Sequence, residues 1–132
     1  MIQINQEISN QIIEHTQKEL PNEACGYLAG QDGIIVRAFE MTNIDNSPEH
    51  FSFDPAEQFK VSREVRKLGL SIIANYHSHP STPSRPSEED IRLAHDPDIS
   101  YMIISLAEKD PVIRSFKIQH GKSETEELIT LK

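Results

Sequence analysis

The sequence predicts an α/β or α+β domain in which one sheet is covered by two main helices. Three observations predict this class. Two amphipathic stretches of helical period lie in the first half of the chain, short apolar runs of strand length lie between and after them, and helices and strands therefore alternate. The length of 132 residues predicts a single domain that spans residues 1–132.

The first third of the chain predicts a strand, a helix and a β-hairpin. Residues 2–4 alternate between apolar and polar as a short strand does, and Pro21 ends the helix that follows. The runs 24–29 and 33–41 flank a turn at residues 31–33, which is the pattern of a β-hairpin. The helix itself is predicted from an apolar stripe formed by Ile8, Ile12, Ile13, Thr16 and Leu20.

The second helix is predicted by the residues at its two ends. Asp54 suits the amino-terminal cap, Pro55 suits the first turn, and Gly69 suits the carboxyl-terminal cap. Residues 43–48 before this helix are predicted to form a loop, and residues 50–53 are predicted to form a short strand.

The second half of the chain predicts a central strand, a stiff loop, a short helix and three closing strands. The apolar run 70–76 predicts a buried strand, and three prolines stiffen the loop at residues 80–86. A short helix is predicted over residues 87–94, before Pro97. The closing strands are predicted over residues 100–106, 112–119 and 125–131.

Composition and charge exclude several classes of protein. The net charge of −8 at pH 7 gives no electrostatic footprint for binding nucleic acid. The longest apolar runs span about five residues, whereas a membrane span needs about 18. Residues 1–11 lack the basic start and apolar stretch of a secretory signal. We therefore expect a soluble cytoplasmic protein without membrane or nucleic-acid partners.

The single cysteine, Cys25, restricts the ligands that any metal site can use. One cysteine can form neither an internal disulfide framework nor a multi-cysteine zinc site, so the ligands must be histidine, aspartate or glutamate. Cys25 itself is expected to be a small buried apolar residue. It lies two residues from Glu23, which leaves a redox role open.

The residues that suit metal chemistry are concentrated between 76 and 90. His77 and His79 point to the same face if the preceding strand continues through them. Neutral imidazole and carboxylate are good zinc ligands, and Asp90 is the best candidate for the third ligand because it begins a helix after a stiff loop. Two histidines and one aspartate leave a fourth tetrahedral position for water, which is typical of catalytic zinc.

Two further residues suit a hydrolytic reaction at such a site. A zinc-activated water needs a base that is not itself a ligand, and Glu23, at the entry to a short apolar strand, is the candidate. The oxyanion needs a neutral donor, and Ser87 lies three residues before Asp90. Each has an alternative, since Glu23 could be an exposed strand-entry residue and Ser87 could only cap the helix.

Together these residues resemble the JAMM (MPN+) motif. Glu23 is followed by the run 77–80 (HSHP) and, after six further residues, by the run 87–90 (SEED), so every position of the motif is filled. The segment 23–28 (EACGYL) resembles the bacterial stand-alone members of this zinc metalloprotease family. The resemblance implies a cytidine-deaminase-like α/β fold, with a curved mixed β-sheet flanked by helices, and a zinc-dependent peptidase or isopeptidase.

The resemblance also implies roles and a partner. His77, His79 and Asp90 would bind one Zn²⁺ per chain. Glu23 would be the general base, and Ser87 would steady the tetrahedral intermediate. Family members cut after the Gly-Gly tail of ubiquitin-like proteins, and this short chain is expected to lack the insertions with which deubiquitinating members grip ubiquitin. Small bacterial members are associated with trimming ubiquitin-like sulfur-carrier proteins, so the resemblance implies such a carrier with a C-terminal Gly-Gly as the partner.

Three rival functions are weighed against this enzyme. A catalytically silent MPN-type protein-interaction module is the main alternative, but such modules lose metal ligands and none is lost here. A zinc deaminase needs a P-C-x-x-C motif, which one cysteine cannot supply. A gluzincin-type protease needs H-E-x-x-H, which is absent.

Other titratable residues are expected to take no part in the reaction. The histidines outside the motif are expected to be surface or structural residues, namely His15, His50, His95 and His120. An acidic cluster near the carboxyl end is expected to be a solvated face, formed by Glu124, Glu126 and Glu127.

Overall fold

The computed structural model describes residues 1–132, which form eight strands and three helices. Their order and bounds are β1 (Ile2–Asn5), α1 (Gln6–Lys18), β2 (Cys25–Gln31), β3 (Ile34–Met41), α2 (Pro55–Lys67), β4 (Ser71–His79), α3 (Glu88–Leu93), β5 (Ser100–Ser105), β6 (Val112–Gln119), β7 (Lys122–Glu126) and β8 (Leu128–Leu131). The predicted hairpin is present as the antiparallel pair β2–β3. None of the helices has the length and apolarity needed to cross a membrane.

All eight strands belong to one mixed sheet whose order is β7-β6-β5-β4-β2-β3-β1-β8. Strand β4 lies between β2, which is antiparallel to it, and β5, which is parallel to it. The edge strands β7 and β8 are separated in sequence only by Glu127, whose carbonyl accepts a hydrogen bond from Ile2 N at 2.9 Å. Because consecutive segments form opposite edges, the sheet must curve until those edges meet.

Two of the predicted strands are corrected by this topology. The strand predicted at 125–131 is two strands, β7 and β8, which pair with β6 and β1 respectively. The strand predicted at 50–53 is absent, because only Phe53 pairs, in an isolated bridge with Asn43. The Asn43 side chain accepts hydrogen bonds from Asp45 N and Ser52 N. Such local side-chain bonds compete with a strand ladder for the backbone donors.

Helix α2 begins at its predicted cap and ends one residue before the predicted one, and α1 ends at Lys18, before Leu20 of the predicted stripe. Asp54 accepts a hydrogen bond from Ala56 N at 2.9 Å at the start of α2. The carboxyl-terminal cap is Leu68, and Gly69 follows it with φ +72°, a conformation that favours glycine. Helix α1 packs on β1, β3 and β8, while α2 packs on β4, so the two main helices cover the sheet as predicted.

The sheet is buried on both faces, which determines where β4 can present functional side chains. One face forms the main core with α1, built from Ile2, Ile4, Ile12, Leu28, Ile35, Ala74, Tyr76, Met102 and Ile104. A second cluster contains Tyr101, Ile103, Phe116 and Ile118. Because side chains alternate along a strand, Asn75, His77 and His79 point away from Tyr76 and the main core.

Candidate metal centre

Strand β4 continues through both histidines and brings their rings together. The Nε2 atoms of His77 and His79 lie 3.2 Å apart, and each lies 3.1 Å from Oδ2 of Asp90. Both imidazoles are buried, and the Asp90 side chain is 13% exposed. The three residues predicted as ligands therefore form one group of donor atoms, all within 4.8 Å of one another.

The spacing of these donor atoms fits a small tetrahedral metal ion. Ligands bound at about 2.0–2.2 Å in a tetrahedron are separated by about 3.3–3.6 Å, close to the distances between the three atoms. Nδ1 of His79 donates to the carbonyl of Pro83 at 2.9 Å, which leaves Nε2 of the neutral ring free to act as a ligand. The chemistry of two imidazoles and a carboxylate suits zinc.

A capping box at the start of α3 aims the Asp90 carboxylate. Ser87 Oγ accepts a hydrogen bond from Asp90 N at 3.0 Å, and Asp90 Oδ2 accepts one from Ser87 N at 2.9 Å. The same Oδ2 atom faces both histidines. The capping interpretation of Ser87 is therefore confirmed. It leaves the hydroxyl hydrogen of this exposed serine free to donate elsewhere.

The ionisation of the group favours a bound cation. Burial alone would raise the pKa of Asp90, but hydrogen bonds to His77 and His79 outweigh it and hold that pKa well below its usual range. Burial would lower the pKa of His79, but hydrogen bonds to Asp90 and Pro83 raise it overall. The carboxylate is therefore ionised, and a metal that binds would replace the proton through which His79 bonds to Asp90.

Glu23 lies beside this group in an environment that strongly perturbs its carboxyl. The residue is 5% exposed, so the alternative of an exposed strand-entry residue is wrong. Burial raises the pKa of Glu23 to about 8, and the neighbouring charge of His79 only partly opposes the shift. Its Oε1 atom is buried and has no hydrogen-bond partner in the protein. A buried carboxyl with an unused oxygen is typical of a functional site.

Ser78, between the two histidines, fixes the position of Glu23. Ser78 Oγ accepts a hydrogen bond from Ala24 N at 2.8 Å, and Ser78 N donates to the Ala24 carbonyl at 3.0 Å. Glu23 N donates to the Ser47 carbonyl at 2.9 Å. The sequence predicts no role for Ser78, although strand alternation places its side chain on the face of β4 opposite the two histidines.

The segment 43–53 closes over the site, and its contribution was missed from the sequence. The Phe51 ring stacks on the His77 ring with 4.6 Å between centroids. Asn43 Nδ2 donates to the carbonyls of Glu23 and His50, at 3.0 and 2.9 Å. No periodic pattern marks these residues, because the segment is held by side-chain hydrogen bonds rather than by regular structure.

Among the other titratable residues discussed above, Glu126 is the one whose environment differs from the prediction. His15 is buried and structural, with Nδ1 at 2.6 Å from the Tyr76 hydroxyl, and His50 is half-exposed with Nδ1 at 2.6 Å from Glu89. His95 and His120 are exposed, as are Glu124 and Glu127. Glu126 is not solvated, since its side chain is 9% exposed and accepts hydrogen bonds from two serines.

Cys25 behaves as a small buried residue. It is fully buried, and it pairs with His77 across β2 and β4. Burial raises the pKa of its thiol to about 12. Because the thiolate is the reactive form of cysteine, this environment opposes a redox role.

A cavity of about 510 Å³ adjoins the metal group on the same face of the sheet. His77 and Asp90 form part of its wall, and the lining is mainly apolar. Its floor crosses three neighbouring strands, where Tyr27, Asn75 and Tyr101 stand in register. We call this space the β4 cavity. A concave apolar site beside perturbed titratable groups is where a substrate is expected to bind.

Similarity to known proteins agrees with this geometry. The prokaryotic homologs of the JAB domain match residues 5–119. A CysO-cysteine peptidase of Mycobacterium tuberculosis is 36% identical over 123 residues, which cover 89% of this chain and 83% of the relative. A desampylase of Pyrococcus furiosus is 33% identical over 69 residues, which cover 52% of this chain and 49% of the relative.

Among solved structures, a protein of Desulfitobacterium hafniense has the same fold with a TM-score of 0.92 and 46% identity, covering 100% of this chain and 94% of that one. The predicted JAMM/MPN fold and the predicted class of enzyme, a hydrolase of peptide or isopeptide bonds, are confirmed. The match over most of the chain and the relatedness to the peptidase lead to one conclusion, that the chain belongs to the family of prokaryotic homologs of the JAB domain.

Proposed function

We propose that the protein is a zinc-dependent peptidase or isopeptidase that cleaves after the Gly-Gly tail of a ubiquitin-like, sulfur-carrier protein. One observation carries the proposal. The donor atoms of His77, His79 and Asp90 are separated by about the distance between ligands of a tetrahedral zinc ion. The buried carboxyl of Glu23 lies beside this group and is not part of it. That division between ligands and a separate base is what hydrolysis at a metal requires.

His77, His79 and Asp90 would hold one Zn²⁺ per chain. The bound ion would supply a Lewis acid and lower the pKa of water at its open position to about 7. The two imidazoles are fixed on one strand, and the aspartate is fixed by the capping box of α3. Three side chains would fill three positions of a tetrahedron and leave one for water, and the β4 cavity adjoins this group of residues.

Glu23 would act as the proton carrier. Its carboxyl is buried next to the ligands, and no protein donor occupies Oε1. Burial raises the pKa of Glu23 to about 8 in the metal-free protein, and the charge of a bound cation would lower that pKa and favour the carboxylate that accepts a proton. It can therefore accept a proton from the attacking water and pass that proton to the leaving amine.

Ser87 would stabilise the oxyanion that forms on the scissile carbonyl. Its Oγ accepts the capping hydrogen bond from Asp90 N, so the hydroxyl hydrogen points elsewhere. A hydroxyl held by a helix start beside a metal ligand is a preorganised neutral donor. The helix cap and the catalytic role therefore use different parts of the same group.

The substrate class rests on two relatives and on the β4 cavity. The relatives are named CysO-cysteine peptidase and desampylase. A flexible tail that lies along a sheet in an apolar groove suits the cavity beside β4. A carrier protein with a C-terminal Gly-Gly is therefore the partner we propose. The cytoplasmic location stays a prediction.

The test measures zinc content and cleavage of a ubiquitin-like carrier extended by a short peptide after its Gly-Gly. We expect His77→Ala to lose both the metal and the activity, and Glu23→Ala to keep the metal and lose the activity. Equal cleavage by the wild type and Glu23→Ala, with zinc present, would refute the proposed enzyme. Loss of zinc from Glu23→Ala would instead show that Glu23 is a ligand.

A further inference from the structure

Asn75 is a polar residue on the floor of the β4 cavity whose hydrogen-bonding capacity the protein does not use. Its Oδ1 atom is buried and has no hydrogen-bond partner. Tyr27 on β2 and Tyr101 on β5 flank it in register, so an amide stands between two phenol rings. Native proteins satisfy nearly all buried polar atoms, so an unpaired one in a residue that lines a cavity is a candidate contact for a ligand.

The two tyrosines are already engaged, which singles out Asn75. The Tyr27 hydroxyl accepts a hydrogen bond from Gln58 Nε2 at 2.8 Å. The Tyr101 hydroxyl donates to the Asp96 carbonyl at 2.9 Å and accepts from Asp96 N at 3.1 Å. Both phenols are therefore held by a partner in the protein, although the Tyr27 hydroxyl still has its hydrogen to donate, whereas the carboxamide between them has no partner in the protein.

A carboxamide has the same hydrogen-bonding groups as a peptide bond. It presents one acceptor and one N–H₂ donor, which match the N–H and C=O of a substrate backbone. The terminal torsion of asparagine is soft, so either atom can turn toward the cavity. Asn75 is thus suited to hold the backbone of an extended peptide that lies in the cavity.

The distance from the metal group indicates which substrate residue reaches Asn75. Asn75 precedes His77 by two positions on β4, which corresponds to about 7 Å along an extended strand. Next to His77 the space is narrowed by the Phe51 ring, 4.6 Å away between centroids. Residues without side chains suit the space beside these stacked rings, and Asn75 lines the cavity together with Tyr101 and Ile103.

We propose that Asn75 is a specificity-determining residue whose Oδ1 accepts a hydrogen bond from the backbone N–H of the third residue before the cut, with the side chain of that residue in the β4 cavity. This inference rests on the proposed function, in which two glycines precede the scissile bond. The third residue is then the first one with a side chain. The apolar lining formed by Tyr101, Ile103 and Ile118 favours an apolar side chain there.

The test uses a carrier extended by a short peptide after its Gly-Gly, with leucine or proline as the third residue before the cut. Proline lacks the backbone N–H. For the leucine substrate we expect Asn75→Leu and Asn75→Ala to raise KM roughly threefold to tenfold, the value of one hydrogen bond. We expect kcat and zinc content to stay unchanged. The proline substrate should raise the KM of the wild type similarly, and Asn75→Leu should then add little.

Asn10→Leu, at an exposed position on α1, is the matched control and should leave KM unchanged for both substrates. Additive effects of proline and Asn75→Leu would overturn the proposal, as would an unchanged KM for both Asn75 variants. If the KM of Asn75→Leu changes with the identity of the residue after the cut, the cavity binds the leaving side of the substrate. That result would also overturn the proposal. If the wild type cleaves neither substrate, the proposed function itself fails.

Discussion

Burial of the Glu23 carboxyl couples its protonation to the stability of the metal-free fold. The folded state raises its pKa from 4.5 to about 8, so the folded state binds this proton more tightly than the unfolded chain does. The resulting stability is fully present below about pH 4.5 and is lost as the pH rises through about 8. The shift corresponds to about 5 kcal/mol at most.

Glu23→Gln should therefore be more stable than the wild type at pH 9 and similar to it at pH 5, both in chelator. The neutral amide has the shape of the protonated carboxyl and cannot ionise. Urea unfolding at the two pH values measures the difference. Glu108→Gln, at an exposed position, is the control and should follow the wild type at both values. A Glu23→Gln protein with the pH dependence of the wild type would contradict the perturbed pKa.

Ser87 serves as helix cap and as proposed oxyanion donor, and substitution can separate the two roles. Alanine at an N-cap costs about 1 kcal/mol, whereas glycine costs only a few tenths. We expect Ser87→Ala to destabilise the protein, Ser87→Gly to leave it nearly as stable as the wild type, and both to lose about 100-fold or more in kcat. Ser87→Thr should keep both properties. Full activity of Ser87→Gly would show that Ser87 caps the helix and does not stabilise the oxyanion.

The residues of the site could be predicted from the sequence where chemistry and spacing restrict them. His77, His79 and Asp90 follow from the ligands that zinc accepts and from strand alternation, and the structure brings their donor atoms together. Phe51 and Asn43 could not be predicted, because their roles depend on contacts between segments far apart in sequence. Such contacts leave no periodic signal in the chain.

At the scale of elements, β4 is held close to β2 by the absence of a side chain at Gly26. Gly26 stands opposite Tyr76 in the β2–β4 pair. A Cβ atom at Gly26 would lie 2.3 Å from Tyr76 Cε2 and 2.5 Å from the Phe39 carbonyl oxygen. The backbone oxygen cannot move away without disturbing the β2–β3 ladder. This close packing fixes the strand that carries both histidines.

Gly26→Ala should therefore cost about 1–3 kcal/mol of stability, as overpacking of a core does. It should also weaken zinc binding, since β4 must shift to make room. Unfolding in urea and competition with a chelator measure the two effects. Gly69→Ala is the comparison, because a Cβ atom there meets nothing within 4 Å. It should lose stability only through its positive φ and bind zinc normally. Normal zinc affinity in Gly26→Ala would show that β4 is held by other contacts.

Helices and strands could be predicted well where a local sequence signal fixes their ends. They could be predicted less well where pairing with distant strands fixes those ends. The caps of α2 and the hairpin β2–β3 follow from local chemistry. The sequence predicts that the central strand ends at Tyr76, three residues before its observed end at His79. The residues after Tyr76 are polar although they are buried, so the apolar pattern stops before the strand does. The apolar pattern gives no sign of the break at Glu127. The break arises because β7 pairs with β6 whereas β8 pairs with β1.

At the scale of the whole molecule, the two edges of the sheet are joined around Glu126. Its Oε1 accepts hydrogen bonds from Ser100 Oγ at 2.6 Å and from Ser115 Oγ at 2.9 Å, and its Oε2 lies 3.7 Å from the amino terminus of Met1. Both serines are buried. One carboxylate therefore links β5, β6 and the chain end next to β1, across the point where β7 passes into β8.

Glu126→Ala should open this junction and destabilise both edge strands together. Two buried hydroxyls would lose their acceptor, at a cost of about 1–3 kcal/mol for each one that stays unpaired. Hydrogen exchange should then become faster in β7 and in β8, although these strands lie at opposite ends of the sheet order. Glu126→Gln keeps an acceptor oxygen and should lose less, and Glu124→Ala, at an exposed position on β7, should change neither strand. Faster exchange in β7 alone would show that closure of the sheet rests on the pairing of β8 with β1 rather than on Glu126.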